Sequence, residues 1–354
     1  MTLRDRTVLL TGHTGFKGSW LALWLAELGA PVHGYALAPP TTPNLFEVAR
    51  VDRVLASDTR ADVADAPRLR ATLERVQPDV VFHLAAQPLV SAGYRDPLGT
   101  LATNVLGTAT LLEAVRHVPA VQAVVVIATD KVYENVETGR PLAEADPLGG
   151  HDPYSASKAA AEIVVASFRR SFFREGGHPA RIASARAGNV VGGGDWGSDR
   201  LVPDCLRAFP AGEPVVLRHP DAVRPWQHVL DPLAGYLILA ERLLGGGGAR
   251  YTRAWNFGPE VEDDATVGMV AARLAALWGG GTSVRTGPEP GWHEAGILRL
   301  DSTAAQRDLG WRPTWNLDAS LAETVAWHRA WLRGEDMAAL CRQQIAAHGL
   351  AVGA

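Results

Sequence analysis

The chain has 354 residues, 47% of them hydrophobic, and its 34 basic and 38 acidic side chains give a net charge of −4 with the arginines dispersed, which argues against nucleic acid as a partner. Two cysteines, Cys205 and Cys341, and 11 histidines show no metal-ligand spacing and no disulfide framework, so no metal is expected and a reducing, cytoplasmic setting suits the chain. No secretory leader precedes the first strand and no apolar run reads as a bilayer span, so no membrane association is expected, and this length suits one large core with a smaller lobe.

Thr7-Val8-Leu9-Leu10 reads as a short strand, followed by Thr11-Gly12-His13-Thr14-Gly15-Phe16-Lys17-Gly18 and an apolar-periodic helix from Ser19 to Leu28. Glycines at 12, 15 and 18 permit a tight turn and close backbone approach, and a helix N-terminus behind them faces a pyrophosphate with unpaired amides. A dinucleotide fold is expected. The second strand, Val32 to Tyr35, runs into Ala36-Leu37 and offers neither an acid for ribose hydroxyls nor an arginine for a 2′-phosphate, so the residues alone leave NAD and NADP open.

Further strands read at Val80 to Leu84, Ala123 to Ile127 and Arg181 to Ala187, with amphipathic helices between them. This alternation predicts an α/β chain, a Rossmann-type doubly wound parallel sheet covered on both faces, with its ligand crevice beyond the strands' carboxyl ends. Asp62-Val63, Leu84-Ala85-Ala86-Gln87 and Thr129-Asp130-Lys131 fall at or near such ends. From Asn189 the chain turns rich in Gly, Pro and Trp, with short helical segments at Leu201 to Phe209, Asp231 to Leu244, Thr266 to Trp278 and Leu317 to Leu332. Residues 1–188 are therefore expected to form the dinucleotide-binding domain. Residues 189–354 would be mainly a smaller substrate-binding lobe, with some segments returning to the first domain.

Only three of the basic residues are lysines, Lys17, Lys131 and Lys158, and each lies in a stretch suited to chemistry. Arginine serves most solvated surfaces, so retained lysines mark places that need a compact, titratable ammonium. Tyr154 and Lys158 stand four apart at the start of a segment that reads as a helix, which puts them on one face, where the ammonium favours the phenolate. Asp130-Lys131 follows a strand, as a catalytic pair or as an ordinary surface turn. Lys17 reads as a solvated helix-start residue, a phosphate contact or a brace for a neighbouring loop.

These features resemble the extended short-chain dehydrogenase/reductases and, within them, the CDP-glucose 4,6-dehydratase family. The segments that carry the resemblance are Gly12 to Trp20, Pro39 to Phe46, Thr129 to Asn135, Gly149 to Tyr154, Gly188 to Trp196 and Arg224 to Val229. Lys17 and the Asp130-Lys131 pair are the marks of the subgroup.

The resemblance implies an NAD-dependent hydro-lyase acting on a nucleotide sugar. Tyr154 would take the proton of the sugar C-4 hydroxyl as the carbon is oxidised, with Lys158 lowering the phenol and holding the ribose and Thr129 fixing the hydroxyl. Asp130 and Lys131 would then serve as acid and base for loss of water across C-5 and C-6, each needing a pKa moved by its surroundings. It further implies that Gly12, Thr14, Gly15, Phe16, Lys17, Gly18, Asp62, Val63, Leu84, Ala85, Ala86 and Asn104 join Tyr154 and Lys158 around NAD, which the absence of nearby basic residues also favours. Gln87, Asn189, Asp195, Trp196, Arg200 and Arg224 are the expected substrate contacts. A homodimer or homotetramer, paired through the helix of Tyr154 and one near Leu101 to Arg116, is expected as well. A dehydratase for another nucleotide sugar, a 4-epimerase and a non-catalytic dinucleotide-binding regulator are the competing readings.

Overall fold

The computed structural model describes residues 3–174, 176–260, 264–279, 282–287 and 295–349. Its centre is a seven-stranded sheet of β1 (Val8–Thr11), β2 (Val32–Ala36), β3 (Leu55–Arg60), β4 (Val80–His83), β5 (Ala123–Ile127), β6 (Arg181–Ala187) and β7 (Ala254–Phe257). The order is β7-β6-β5-β4-β1-β2-β3, and every pairing is parallel. Side chains alternate between two cores, as a sheet covered on both faces requires. Val8, Leu10, Val80, Phe82, Ala123 and Val125 enter one, while Leu9, Val81, Val124 and Val126 enter the other.

The first core is covered by α1 (Phe16–Glu27), and the second by α2 (Ala66–Val76), α3 (Gly107–Val115) and α4 (Pro153–Ser171). Every residue of α1 from Gly18 to Leu25 is buried. A helix apolar all round needs cover on its outer side. Later parts of the chain return to supply it. Helix α6 (Leu230–Leu244) lies against β5 and β6, and α9 (Met337–Gly349) lies on α1.

The remaining C-terminal elements build a separate small core. Val202 and Leu206 of α5 (Leu201–Ala208), Val270 and Leu274 of α7 (Val267–Trp278), and Leu317, Leu321 and Val325 of α8 (Leu317–Leu332) meet there, joined by Val215, Leu217 and Trp226. Residues after 189 are thus divided between this lobe and the sheet.

Strand β3 and strand β7, both at sheet edges, and helix α9 are additional to the sequence reading. The helical stretch Pro97–Val115 is, by length and composition, apolar enough to cross a membrane, contrary to the expectation that no segment qualifies. It carries a π turn at Ala102–Leu106 that aims Asn104 inward, and such turns concentrate at functional sites.

Candidate active site

The strand order reverses between β1 and β4, so their carboxyl ends diverge and open a crevice. A cavity of about 670 Å³ occupies it, walled by the turn after β1, the ends of β2, β4, β5 and β6, and the small lobe. Backbone approach at its floor is close. Gly12 has φ +75°, and a Cβ there would lie 2.6 Å from Ala85 N; a Cβ on Gly18 would lie 2.1 Å from the Gly12 carbonyl oxygen. Helix α1 starts at Gly15 with no side-chain cap, which leaves its first amides to a ligand.

Gly12, Thr14, Gly15, Phe16, Lys17, Gly18, Asp62, Val63, Leu84, Ala85 and Ala86 all line the cavity, as expected for a dinucleotide. The Thr14 hydroxyl donates to the Leu37 carbonyl at 3.0 Å, tying the turn to β2, and the Tyr35 hydroxyl donates to the Asp62 carbonyl at 2.9 Å, tying β2 to the Asp62 loop. These residues fit NAD by shape. A basic residue does lie nearby, contrary to the sequence reading. Strand β3 brings Arg60 beside the Leu37 carbonyl, at 3.1 Å. Asp58 pairs with Arg60 at 2.7 Å, and the guanidinium stacks on Phe46 away from the cavity wall, so it offers no open 2′-phosphate site.

Two expected contacts stand behind the wall instead of in it. Asn104 donates to the Gln87 carbonyl at 3.1 Å and to Ser157 Oγ at 2.8 Å, and accepts from the Gln87 amide at 2.9 Å. Gln87 Nε2 donates to Thr100 Oγ1 at 2.8 Å, and its Oε1 accepts from the Leu89 amide. Both side chains brace the loop after β4 against the π turn and α4, and neither lines the cavity.

Helix α4 carries Tyr154 and Lys158 to the centre of the cavity. Asp152 caps it, accepting from the Tyr154 and Ser155 amides at 2.9 and 3.0 Å, and Pro153 at the first turn needs no donor partner. The Asp-Pro start was legible as a helix signal and identifies Asp152 as a residue the sequence reading left without a role. Burial pushes the Tyr154 phenol up to about 12, opposed by the Thr129 hydroxyl within its reach and by Arg200. Lys158 Nζ donates to the Ile127 carbonyl at 2.7 Å, and burial brings the ammonium down to about 8.

Asp130 is 1% exposed. Thr129 Oγ1 donates to its Oδ1 at 2.9 Å, while Oδ2 has no partner. Burial raises its pKa against the nearby charges of Lys131, Arg224 and Lys17. Gly188 makes room for it, since a Cβ there would lie 2.4 Å from Oδ2. Lys131 lines the same cavity, half-buried.

Lys17 also faces this group. Burial lowers its ammonium to about 8, with Arg200 and Lys158 adding to the effect and Asp130 and Asp195 opposing it. Its side chain is half-buried and lines the cavity, which does not suit a freely solvated helix-start lysine. Asp195 and Arg200 pair at 3.0 Å, and Asn189 and Arg224 complete the wall on the lobe side. Trp196 lines the cavity too, but its ring packs edge-on against Trp327 and Trp331 at 5.7 and 5.0 Å, so packing holds it. Asp204, Arg218 and His219, which the sequence reading did not single out, close the far end. Among the described residues no group of three or more His, Cys, Asp or Glu side chains is placed to hold a metal ion.

Comparison with known proteins adds the context for this geometry. A CDP-glucose 4,6-dehydratase of Salmonella typhimurium is 48% identical over 345 residues, covering 97% of this chain and 96% of that protein. A dTDP-glucose 4,6-dehydratase of Streptomyces griseus is 32% identical over 336 residues, covering 92% and 95%. Among solved structures, a dTDP-glucose 4,6-dehydratase from Streptomyces venezuelae with NAD bound superposes with a TM-score of 0.78 at 26% identity, covering 94% of this chain and 99% of that one. The UDP-glucose 4-epimerase of Thermotoga maritima shares the fold, with a TM-score of 0.80 at 24% identity and coverage of 92% and 99%. Residues 8–252 match the NAD dependent epimerase/dehydratase family, and the chain belongs to it.

Proposed function

We propose that the chain is a hydro-lyase that uses NAD to convert CDP-glucose into CDP-4-dehydro-6-deoxyglucose. The observation that carries this reading is Asp130, a buried carboxyl with one unpartnered oxygen in the same cavity as Thr129, Tyr154 and Lys158. An oxidation site alone would serve an epimerase, whereas an added acid with a raised pKa is what departure of a hydroxyl requires. The substrate is chosen on the 48% identity to the Salmonella enzyme.

The turn after β1 and the Asp62 loop would hold NAD, which would supply the acceptor for the electron pair leaving C-4 and its donor to C-6. Tyr154 takes the proton of the C-4 hydroxyl, which Thr129 orients. A carbonyl at C-4 acidifies C-5, whose proton Lys131 removes. Asp130 protonates the hydroxyl leaving C-6, and Lys131 returns its proton to C-5 as C-6 is reduced. Lys158 stays near the phenol as a cation, and Lys17, Arg200 and Arg224 offset the substrate phosphates, with Asn189 and Asp195 fixing their side of the wall.

The enzyme is further proposed to be cytoplasmic and to work as a homodimer or homotetramer. Two free, buried cysteines support the first statement. Leu98, Leu106 and Ile163, exposed at 77%, 62% and 60% on the Pro97–Val115 stretch and α4, support the second, since an uncovered apolar helix face suits a second copy. The test is incubation with NAD and, separately, CDP-, dTDP-, GDP- and UDP-glucose, reading the alkali-induced absorbance of a 4-keto-6-deoxy sugar. CDP-glucose alone should give product. Product from another nucleotide would move the substrate, and C-4 epimerisation without product would replace the reaction.

A further inference from the structure

The ends of the cavity differ in chemistry. The turn after β1 and the Asp62 loop make the dinucleotide end, Thr129 and Tyr154 stand at the middle, and Lys17, Arg200 and Arg224 follow. Beyond those cations the wall is formed by α5, the strand Val215–Leu217, Trp226 and Val267 of the lobe. A nucleotide sugar whose C-4 hydroxyl meets Tyr154 and whose pyrophosphate meets the cations has its base there. Val202, Val215, Leu217 and Trp226 are buried, giving the apolar surroundings a flat ring needs, and Asp204 is the carboxyl in that stretch of wall on α5.

We infer that Asp204 reads the base, accepting a hydrogen bond from the exocyclic amine of cytosine, and so selects CDP-sugars over those of uracil and thymine. The inference rests on the nucleotide-sugar reading above. Arg207 donates to Asp204 Oδ1 at 2.8 Å from the next turn of the helix, and no hydrogen bond to Oδ2 is formed among the described residues. Cytosine presents an amine at C-4, which a carboxylate attracts. Uracil and thymine present a carbonyl oxygen at the same place, which a carboxylate repels. Asparagine presents either a donor or an acceptor by rotating its amide, so the Asp204→Asn variant has no such preference.

The experiment measures the affinity of CDP and of UDP for the NAD-charged wild type, Asp204→Asn and Arg207→Gln, with kcat/KM for CDP- and UDP-glucose alongside. Loss of one well-placed polar contact to a base reduces discrimination roughly ten- to a hundredfold. Asp204→Asn should therefore lose the preference for CDP by about that factor, with KM for CDP-glucose rising, while Arg207→Gln keeps the preference. An Asp204→Asn protein that still prefers CDP as the wild type does overturns the inference. So does an Arg207→Gln protein that loses the preference equally, because Asp204 would then act only through Arg207. Failure of the dehydratase reading looks different: neither sugar nucleotide gives product, while the nucleotides still discriminate through Asp204.

Discussion

Replacing Asp130 by Asn should separate the two halves of the reaction and, at the same time, make the protein more stable. The asparagine is isosteric, so the space that Gly188 leaves around Oδ2 still suffices, and its Oδ1 keeps the bond from Thr129. What disappears is the proton for the departing hydroxyl, a contribution of about 10²- to 10⁴-fold in rate. C-4 oxidation does not need that proton. On mixing the NAD-charged variant with CDP-glucose, reduced nicotinamide should therefore form and persist, up to one per active site, where the wild type shows it only in passing. The stability effect follows from the sign of the pKa shift. The carboxyl's folded pKa lies above its ordinary value of 3.8, so ionisation is disfavoured in the fold. The cost is absent below the ordinary value, grows as pH rises through it, and levels off only above the folded pKa. Asparagine keeps a polar atom at the unpartnered position but removes the charge, so the variant should gain on the order of 1 kcal/mol in urea unfolding at neutral pH and almost nothing at pH 3, where the carboxyl is protonated in both states. Wild-type turnover by the variant would remove Asp130 from the elimination. A folded variant that never reduces its cofactor would move Asp130 into the oxidation.

Lys17→Met should also stabilise the ligand-free protein. Its ammonium falls from 10.5 to about 8 on folding, a penalty of about 3 kcal/mol at neutral pH that fades as pH rises from 8 to 10.5, and comparing unfolding of the two proteins across that window checks it. Arg186→Met should destabilise by roughly 3–5 kcal/mol in denaturant titration, because it strands Glu162, to which Arg186 Nε donates at 2.8 Å between two buried side chains, and frees the Tyr133 hydroxyl it also contacts. Ile163→Arg, on the exposed apolar face of α4, should yield a monomer by light scattering if that face pairs two copies.

The parts of this structure that were legible in the sequence are those whose local chemistry has a single solution. Gly12 and Gly18 read as a dinucleotide turn because no Cβ fits beside Ala85 or the Gly12 carbonyl. Strands β4 and β5 are apolar on both faces and stand out. Strand β3, at the edge, does not: half of Leu55–Arg60 is exposed and most of it is polar, so it carries no apolar run. Missing it hid Arg60 and its pairing with Asp58. Helix α9 was equally quiet because its buried face is built partly of Ala338, Cys341, Gln344 and His348, residues that do not announce a core. The same limit applies within the site. The family resemblance placed Gln87 and Asn104 near the cavity, but which way a side chain turns depends on partners distant in sequence, here Thr100 and Ser157. Spacing put Lys158 beside Tyr154, where only the fold could show the ammonium bound to a backbone carbonyl and the phenol raised by burial.

These shifts share one cause, and it predicts how the site responds to ligand. Lys17 and Lys158 are both lowered to about 8 chiefly because they are buried, and Lys17 has Asp130 and Asp195 as its opposing charges. Asp195 is paired with Arg200, and Asp130 resists ionisation, so the fold leaves the ammoniums short of negative charge. A pyrophosphate supplies it. Binding of CDP next to Lys17 should raise that ammonium back above its ligand-free value, because an opposite charge in a poorly solvated site favours the cation. At pH 8, where Lys17 is about half protonated without ligand, CDP binding is then accompanied by proton uptake. Calorimetry in two buffers of different ionisation enthalpy measures this directly, and the uptake should vanish in Lys17→Met while CDP still binds. Equal heats in both buffers, or proton release, would mean that the phosphates do not reach Lys17 and that its burial serves the fold alone.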